Sequence, residues 1–265
     1  MRRPAPAVAV AAAVLAVAVS VGALVGAARG ERAQRGEVIV SLDGGLSPKR
    51  LPRDHLAPLS IHLSGDIRTA DRSLLPRVTR IEIGLPVQGA VSTRGLPTCP
   101  ARRLRNTKPP QALAVCGGAL IGRGHLTAKV FLPEQGPFEI HARLLLFNSR
   151  VDGVRGVVLQ AYSSEPPIVV VLPFTLRHRR GTFGRVLVAD LPRDLGPRPR
   201  LAAFEMTLFR RYRYRGRARS YLSASCPVPP RLTAGFFTLA RAAYTLSDGR
   251  QIGVEITRGC RASRS

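Results

Sequence analysis

Arginine and tyrosine alternate through one short run, Phe209–Tyr221, and this run holds the residues best suited to bind a ligand. A tight turn at Arg215-Gly216 would fold the run into a β-hairpin. Residues that face each other on a hairpin have neighbouring side chains. Each of two tyrosines then meets an arginine, with Tyr214 opposite Arg217 and Tyr212 opposite Arg219. A guanidinium group stacks on a tyrosine ring in such a pair and contributes about 0.5–1 kcal/mol where the contact is exposed.

The same hairpin places a row of arginines, Arg211, Arg213 and Arg215, on its opposite face. Guanidinium and aromatic groups together suit phosphate backbones, anionic glycans or sugar rings. The alternative interpretation is a solvated hairpin whose charges prevent an exposed edge from pairing with other chains. If the hairpin binds an anion, the binding residues are Arg210, Arg211, Tyr212, Arg213, Tyr214, Arg215, Arg217 and Arg219.

The chain contains no sequence motif of an enzyme or a metal site. It has no His-Glu-x-x-His helix and no Gly-x-Ser-x-Gly sequence, and its five histidines are scattered at His55, His62, His125, His141 and His178. The glycine cluster Gly117–Gly124 lacks the Lys-Ser/Thr ending of a phosphate loop and indicates a bulge or turn. We therefore predict no catalytic residue, no metal ligand and no cofactor. A hydrolase whose site is assembled from distant residues is the open alternative.

Four cysteines, Cys99, Cys116, Cys226 and Cys260, predict two disulfides if the chain is exported. Three pairings are possible, and proximity along the chain favours Cys99–Cys116 and Cys226–Cys260. The second of these would pin the last hairpin to the hairpin before it. Zinc binding is disfavoured because there is no Cys-x-x-Cys pair and no histidine at a complementary spacing.

The first 28 residues have the order of a secretory signal. Arg2 and Arg3 precede an apolar run from Ala5 to Ala28 that closes with small residues. An uncleaved membrane anchor is the alternative, since the run is long enough to cross a bilayer. Either way the rest of the chain is expected in the cell envelope or outside the cell. The oligomeric state cannot be predicted.

The chain is strongly basic. Its formal net charge is +25, and removal of residues 1–28 takes away two arginines and leaves +23. Such a charge favours an anionic envelope polymer or an anionic membrane surface as a partner. The arginines are spread over nearly every segment, and only three basic residues are lysines. No specific nucleic-acid motif is present. A codon-biased, solvated surface is therefore the alternative explanation.

Short alternating apolar runs bounded by Gly, Pro, Asn or Asp dominate the sequence from Pro58 onward, which is typical of strands and turns. The long helical crossovers of a parallel sheet are missing. Three runs, Leu144–Phe147, Ile168–Leu172 and Val186–Ala189, are continuously apolar, so we expect these strands to be covered on both faces. Beyond the strand that begins at Leu59, the predicted strands are Val78–Leu85, Ala119–Leu132, Phe138–Phe147, Val154–Tyr162, Ile168–Leu176, Phe183–Ala189, Leu201–Tyr214, Arg217–Ser225, Phe236–Leu246 and Gln251–Thr257.

Three local features complete the prediction. Pro110–Cys116 has proline in a first-turn position followed by helix-forming residues, which predicts one short helix. Asp248-Gly249 lies between strand-like arms and predicts a hairpin with a type I′ turn. Residues 29–57 carry mixed charge and prolines, which predicts a flexible leader that adds at most one edge strand.

The chain resembles a group of uncharacterised exported proteins from high-GC Gram-positive bacteria, over roughly Pro58 to Cys260. The resemblance implies export and a β-rich fold, and it implies no activity, ligand or site residue. The matching stretches are Gly95–Cys99, Ala112–Cys116, Leu132–Gln135, Arg143–Asn148, Arg210–Gly216, Ser220–Pro227 and Asp248–Cys260.

We therefore predict an all-β protein with a signal peptide at 1–28, a leader at 29–57 and an antiparallel β-sandwich of about ten strands at 58–265. One short helix and two disulfides complete the sandwich. The predicted function is that of an exported, non-enzymatic protein that binds anionic polymers through the Arg/Tyr hairpin.

Overall fold

The computed structural model describes residues 31–132, 134–192 and 199–263. The predicted signal segment, residues 1–28, lies outside the described residues. Within the described ranges the chain is mostly β-structure, with one short α-helix, α1 (Pro109–Cys116), and two 3-10 turns, Ala101–Arg103 and Gly117–Ala119. The predicted all-β class and the predicted short helix are confirmed.

Eighteen strands are described. They are β1 (Glu31–Arg35), β2 (Val38–Ser47), β3 (Arg50–Leu51), β4 (Ala57–Pro58), β5 (Ser60–Thr69), β6 (Val78–Leu85), β7 (Gly89–Val91), β8 (Leu120–Leu132), β9 (Gln135–Val151), β10 (Val154–Ser164), β11 (Pro167–His178), β12 (Arg185–Asp190), β13 (Pro199–Leu208), β14 (Arg211–Tyr214), β15 (Arg217–Ser220), β16 (Leu222–Ala224), β17 (Ala234–Leu246) and β18 (Gln251–Ala262).

Thirteen of these strands form one continuous hydrogen-bonded sheet rather than the two separate layers of a clearly defined sandwich. Their order is β1-β2-β5-β13-β8-β9-β10-β11-β12-β6-β17-β18-β3, and every pair is antiparallel except β18 with β3. The sheet curls so far that β18 contacts β1 and β2. Strands twist in a fixed direction, so a sheet of this width curls until it covers its own apolar face. The core therefore lies inside one curled sheet, where two packed sheets were expected.

Residues 31–51, which fall in the predicted leader, supply three strands of the sheet, β1 to β3, whereas β4 belongs to a separate three-stranded sheet, β4-β16-β7. β2 pairs with β5 along its whole length and with β1 over Val38–Leu42. Val38, Val40 and Leu51 are fully buried in the core. Inward apolar positions at every second residue of Val38–Leu42 explain this, because they supply one buried face. The segment thus contributes two long strands to the sheet.

A seam of side-chain bonds joins the first strands to the last. Arg258 of β18 donates from Nη1 to Glu31 Oε1 at 2.9 Å and from Nε to the Gly44 carbonyl at 2.5 Å. Its Nη2 pairs with the carboxylate of Asp43. The Arg258 side chain is only 11% exposed. No backbone ladder links β1 to β18, so these contacts close the curl.

The seam continues at the opposite end of β18. Arg250 donates from Nη2 to Glu37 Oε1 at 2.7 Å and to Asp248 Oδ2 at 2.6 Å. These hydrogen bonds from Arg250 lower the pKa of both carboxyl groups. Arg35 donates from Nη1 to the Gln251 carbonyl at 2.7 Å. Arg250 and Arg258 of the last hairpin therefore hold that hairpin against β1, β2 and the turn between them.

A second, smaller apolar cluster covers part of the outer face. In β9, Leu144 and Leu146 point into the main core, whereas Leu145 and Phe147 pack on the outer cluster. The outer cluster contains Cys99, Leu104, Ala112, Cys116 and Val158. The segment that carries α1 thus lies over the outer face of the central strands. This explains why the Leu144–Phe147 run is continuously apolar, as predicted for a strand covered on both faces.

Both favoured disulfides are present. Cys99–Cys116 has a Cα–Cα distance of 5.6 Å and holds α1 against the preceding loop. Cys226–Cys260 has a Cα–Cα distance of 5.9 Å and ties β18 to the segment after β16. The described residues contain no free cysteine.

The predicted hairpin at Asp248-Gly249 forms, with a different turn. Gly249 has φ +84° and donates its N–H to the Leu246 carbonyl at 3.0 Å, so Ser247 and Asp248 are the central residues of the turn. A turn followed by a left-handed glycine makes a three-residue loop, not a type I′ turn. Type I′ geometry occurs instead at Asp152-Gly153 between β9 and β10, where φ is +49° and +77°.

Candidate anion-binding surface

The predicted Arg/Tyr hairpin forms as β14 and β15, in the expected register. Tyr212 lies opposite Arg219, and Tyr214 lies opposite Arg217. The turn residues Arg215 and Gly216 have φ values of +52° and +74°. Positive φ at both central positions is the type I′ geometry that matches strand twist. Gly216 adopts a positive φ without strain, and Arg215, the residue before it, adopts a positive φ as well.

The two tyrosines dock the hairpin onto a loop of the protein. The Tyr212 hydroxyl donates to the Arg94 carbonyl at 3.0 Å. The Tyr214 ring packs on Gly95, where a Cβ atom would overlap the ring. Gly95 also has φ +79°, so both space and backbone conformation favour glycine there. Both tyrosines therefore hold the hairpin in place.

The expected stacking of arginine on tyrosine across the strands is replaced by another contact. The Arg215 guanidinium lies over the Tyr214 ring, 5.5 Å from the ring centroid. Because the tyrosines are half-buried against the loop, they present little aromatic surface to a ligand. Tyr221, at the end of the run, is fully buried, and burial raises the pKa of its hydroxyl. The surface available for binding is therefore made of arginine.

The arginines of the hairpin are exposed and uncompensated. Within the described ranges, none of the following has a carboxylate within ion-pair distance: Arg211, Arg213, Arg215, Arg217 and Arg219. A guanidinium keeps its charge at all ordinary pH values. Five like charges on a hairpin of ten residues raise the local positive potential, which attracts anions.

Arg210 differs from the other arginines of the hairpin. It is half-buried at the hairpin base and donates from Nη2 to the Gly118 carbonyl at 3.1 Å. Its backbone carbonyl accepts the N–H of Tyr221 at 2.8 Å. Arg210 thus joins the hairpin base to the turn after α1, and its side chain is less available to a ligand than the exposed five.

Sequence reasoning missed the loop that supports the hairpin. Leu96 donates its N–H to the Thr93 carbonyl at 3.1 Å, which makes a tight turn through Arg94 and Gly95. Arg94 is exposed beside Tyr212 and adds a sixth charge to the surface. The Thr-Arg-Gly sequence indicates a turn, but nothing in it indicates which element packs on it. We call the hairpin and Arg94 together the arginine surface.

Three of the five histidines, His62, His125 and His141, lie on one outward face formed by β5, β13, β8 and β9. His62 contacts the Thr207 hydroxyl and His141 the Thr127 hydroxyl, each at 3.3 Å. A shallow depression of about 400 Å³ is lined by His125 together with Asp66 and Glu205. Among the hydrogen bonds of the described residues, none joins a serine hydroxyl to a histidine, and no cluster there could hold a metal ion.

Comparison of the chain with protein-family models, curated proteins and solved structures found no match. Over residues 31–132, 134–192 and 199–263, no helix combines the length and hydropathy needed to cross a bilayer.

Proposed function

We propose that this chain is an exported, non-enzymatic protein that binds an anionic polymer of the cell envelope through the arginine surface. The observation that carries the proposal is the set of five exposed hairpin arginines without a carboxylate partner in the described chain. Other exposed arginines of the described residues, such as Arg155, Arg177 and Arg231, also have no carboxylate within ion-pair distance, so the hairpin is distinguished by holding five such arginines within ten residues. Charges left unpaired on a docked hairpin are free to meet an external anion.

The position of the hairpin supports the same proposal. Its tyrosines and the Arg210 side chain fix it to the body of the protein, so its arginines are held at defined spacings. Successive residues of one strand face are about 6.5–7 Å apart, which is comparable to the spacing between charges on a flexible polyanion. The register places Arg217 and Arg219 on the face of the tyrosines and Arg211 and Arg213 on the opposite face. An anionic chain laid along β14 on that opposite face can therefore meet Arg211 and Arg213 in turn.

Two disulfides are compatible with an extracytoplasmic protein. The predicted signal segment would deliver the chain to that compartment, and the proposed partner is present there. The resemblance to exported proteins of high-GC Gram-positive bacteria leads to the same proposed location.

The test is salt-dependent binding to an anionic polymer, with heparin as the probe. We compare residues 29–265 with the variant Arg211→Ser/Arg213→Ser/Arg215→Ser. The matched control is Arg155→Ser/Arg177→Ser/Arg231→Ser, which removes the same charge from exposed arginines elsewhere. Each lost contact lowers the magnitude of the slope of log K against log salt by about 0.7. The slope of the hairpin variant should therefore be smaller than that of the parent by about 2, and the slope of the control should change little.

Two outcomes would reject the proposal. If the hairpin variant and the control elute from heparin at the same salt, net charge alone drives binding. If the parent binds anionic phospholipid vesicles but not heparin, the partner is a membrane surface and the polymer proposal is wrong.

A further inference from the structure

A groove on the outer face of β6, β17 and β18 is separate from the arginine surface and has a volume of about 720 Å³. Sites for small molecules in proteins have volumes of about 300–1,000 Å³. The groove contains both charged and apolar groups, and none of the predicted binding residues of the hairpin lines it.

The register of the three strands makes the floor of the groove. Glu82 pairs with Ala243, which pairs with Gly253, and Gly84 pairs with Arg241 in the next row. Paired residues on adjacent strands share one face of the sheet. The outward positions at the centre are therefore two glycines and an alanine, and the long side chains around them form the walls.

An aromatic ring closes one end of the floor. Phe183, in the loop between β11 and β12, packs on Gly84, where a Cβ atom would come within 2.8 Å of the ring. The loop is held on both sides, because Val87 donates its N–H to the Thr182 carbonyl at 3.1 Å and Arg179 donates its N–H to the Gly184 carbonyl at 3.1 Å. The ring is thus held in position at the groove.

The carboxylates of the groove are held by arginines. Arg80 donates from Nε to Glu82 Oε1 at 3.0 Å and from Nη1 to Asp190 Oδ1 at 2.7 Å. Arg241 lies 3.7 Å from Glu255 across the strands. A carboxylate has about four lone-pair positions, so each of these keeps capacity to accept a hydroxyl.

Two further arginines of the groove have no such partner. Arg179 and Arg180 are exposed on the loop that carries Phe183, and no carboxylate of the described residues lies within ion-pair distance of either. The groove therefore combines acceptors for hydroxyl groups, an apolar floor with an aromatic ring, and a pair of uncompensated guanidinium groups at the rim.

We propose that this groove binds a sugar unit that carries an anionic group, either phosphate or carboxylate. The ring of the sugar lies on the floor of Ala243 and Gly253, beside the Phe183 ring that covers Gly84. Its hydroxyls donate to the carboxylates of Glu82 and Glu255, and its anionic group meets Arg179 and Arg180. Guanidinium groups suit both phosphate and carboxylate, because their paired N–H donors match the oxygens of either group. The site is independent of the arginine surface.

Isothermal titration calorimetry with residues 29–265 tests this site with four probes: glucose 6-phosphate, glucuronate, glucose and inorganic phosphate. We expect at least one charged sugar to bind about tenfold or more tightly than glucose and than inorganic phosphate, since hydrogen bonds to charged groups are strong. The comparison of glucose 6-phosphate with glucuronate identifies which anionic group is preferred.

Two variants locate the binding. Arg179→Ser/Arg180→Ser should weaken binding about tenfold or more, whereas Arg155→Ser/Arg231→Ser, which removes the same charge elsewhere, should not. Gly253→Leu should abolish binding by filling the floor. A Cβ atom at Gly253 has no neighbour closer than 3.5 Å, so the backbone there has room for a side chain. Circular dichroism and thermal unfolding verify that the variant is folded.

Several results would overturn the proposal. These are undetectable binding of both charged sugars at millimolar concentration, inorganic phosphate binding as tightly as the charged sugars, and a folded Gly253→Leu variant that binds like the parent. The hairpin variant Arg211→Ser/Arg213→Ser/Arg215→Ser leaves the groove unchanged, so it should bind the charged sugars like the parent even though it loses heparin binding. Calorimetry on this variant therefore separates failure of the groove site from failure of the proposed polymer binding.

Discussion

Replacing Arg258 by methionine should weaken the seam that closes the curled sheet. The guanidinium of Arg258 binds the carboxylates of Glu31 and Asp43 and the carbonyl of Gly44, which belong to the first two strands. Methionine keeps most of the apolar length of the side chain and removes all of these bonds. The substitution therefore tests the charged contacts with little change in packing.

The expected loss follows from the exposure of the partners. The carboxylates of Glu31 and Asp43 are 35% and 50% exposed, so solvent screens them and each ion pair contributes about 0.5–1 kcal/mol. The bond from the charged Arg258 Nε to the Gly44 carbonyl contributes about 1.5 kcal/mol. The free energy of unfolding of Arg258→Met should therefore fall by about 3 kcal/mol. This corresponds to a decrease in Tm of about 6–12 °C for a chain of this size.

Urea unfolding of the oxidised protein, followed by far-ultraviolet circular dichroism, measures this loss. The matched control is Arg241→Met on the neighbouring strand, where both members of the ion pair with Glu255 are about half-exposed. That change should lower the free energy of unfolding by about 0–1 kcal/mol. If the free energy of unfolding falls no more in Arg258→Met than in the control, the charged contacts of the seam do not stabilise the protein. A double-mutant cycle with Glu31→Gln should show coupling of about 0.5–1 kcal/mol, and zero coupling would show that the Arg258–Glu31 pair contributes nothing to the loss.

The other predictions concern the disulfides and pH. Changing both cysteines of Cys226–Cys260 to alanine should lower the free energy of unfolding by about 4 kcal/mol and the same change at Cys99–Cys116 by about 3 kcal/mol, because the closed loops differ in length. Urea titrations of the two double variants give these values, and the reverse order would contradict the loop-length argument. The hydrogen bond from Arg250 lowers the pKa of Glu37 in the folded state. The stabilisation from this pair is therefore complete above the unfolded pKa of Glu37, about 4.3. It is lost as the pH falls through the lower pKa of the folded state. The Tm of Arg250→Gln should therefore lie below that of the parent at neutral pH. The two Tm values should converge near pH 2, about two units below the unfolded pKa of Glu37. A difference in Tm that stays constant with pH would show that the ionisation of Glu37 is not involved.

Local patterns in the sequence were enough to predict most strands, the helix and the register of the Arg/Tyr hairpin. Val78–Leu85 was predicted with the bounds that β6 has, and Pro110–Cys116 differs from α1 by one residue. These features depend on residues within a few positions of one another, such as alternation of apolar side chains or a glycine in a turn. Disulfide pairing by proximity along the chain also succeeded, over separations of 17 and 34 residues.

Predictions failed where a segment's structure depends on a distant partner. Residues 38–42 have a short apolar alternation among prolines and charges, and their place in the sheet depends on pairing with β5 and on contacts from β18. The turn at Asp248-Gly249 also differs from expectation, since Ser247 and Asp248 are its central residues and Gly249 follows them with positive φ. Aspartate followed by glycine is compatible with both turn types, so the sequence alone left the choice open.

The sequence by itself determined the β-class, the strand periodicity, the cysteine pairs and the exposed arginine hairpin, since each is encoded in short stretches of chain. The tertiary structure decided that thirteen strands curl into one sheet rather than stack in two layers, because strand twist accumulates over the whole width. The tertiary structure also decided that Tyr212 and Tyr214 pack the hairpin onto the loop at Arg94 and Gly95. It likewise brought Gly84, Ala243 and Gly253 together in one groove. Those three residues come from strands far apart in sequence, and only the pairing of β6, β17 and β18 brings them to the same face.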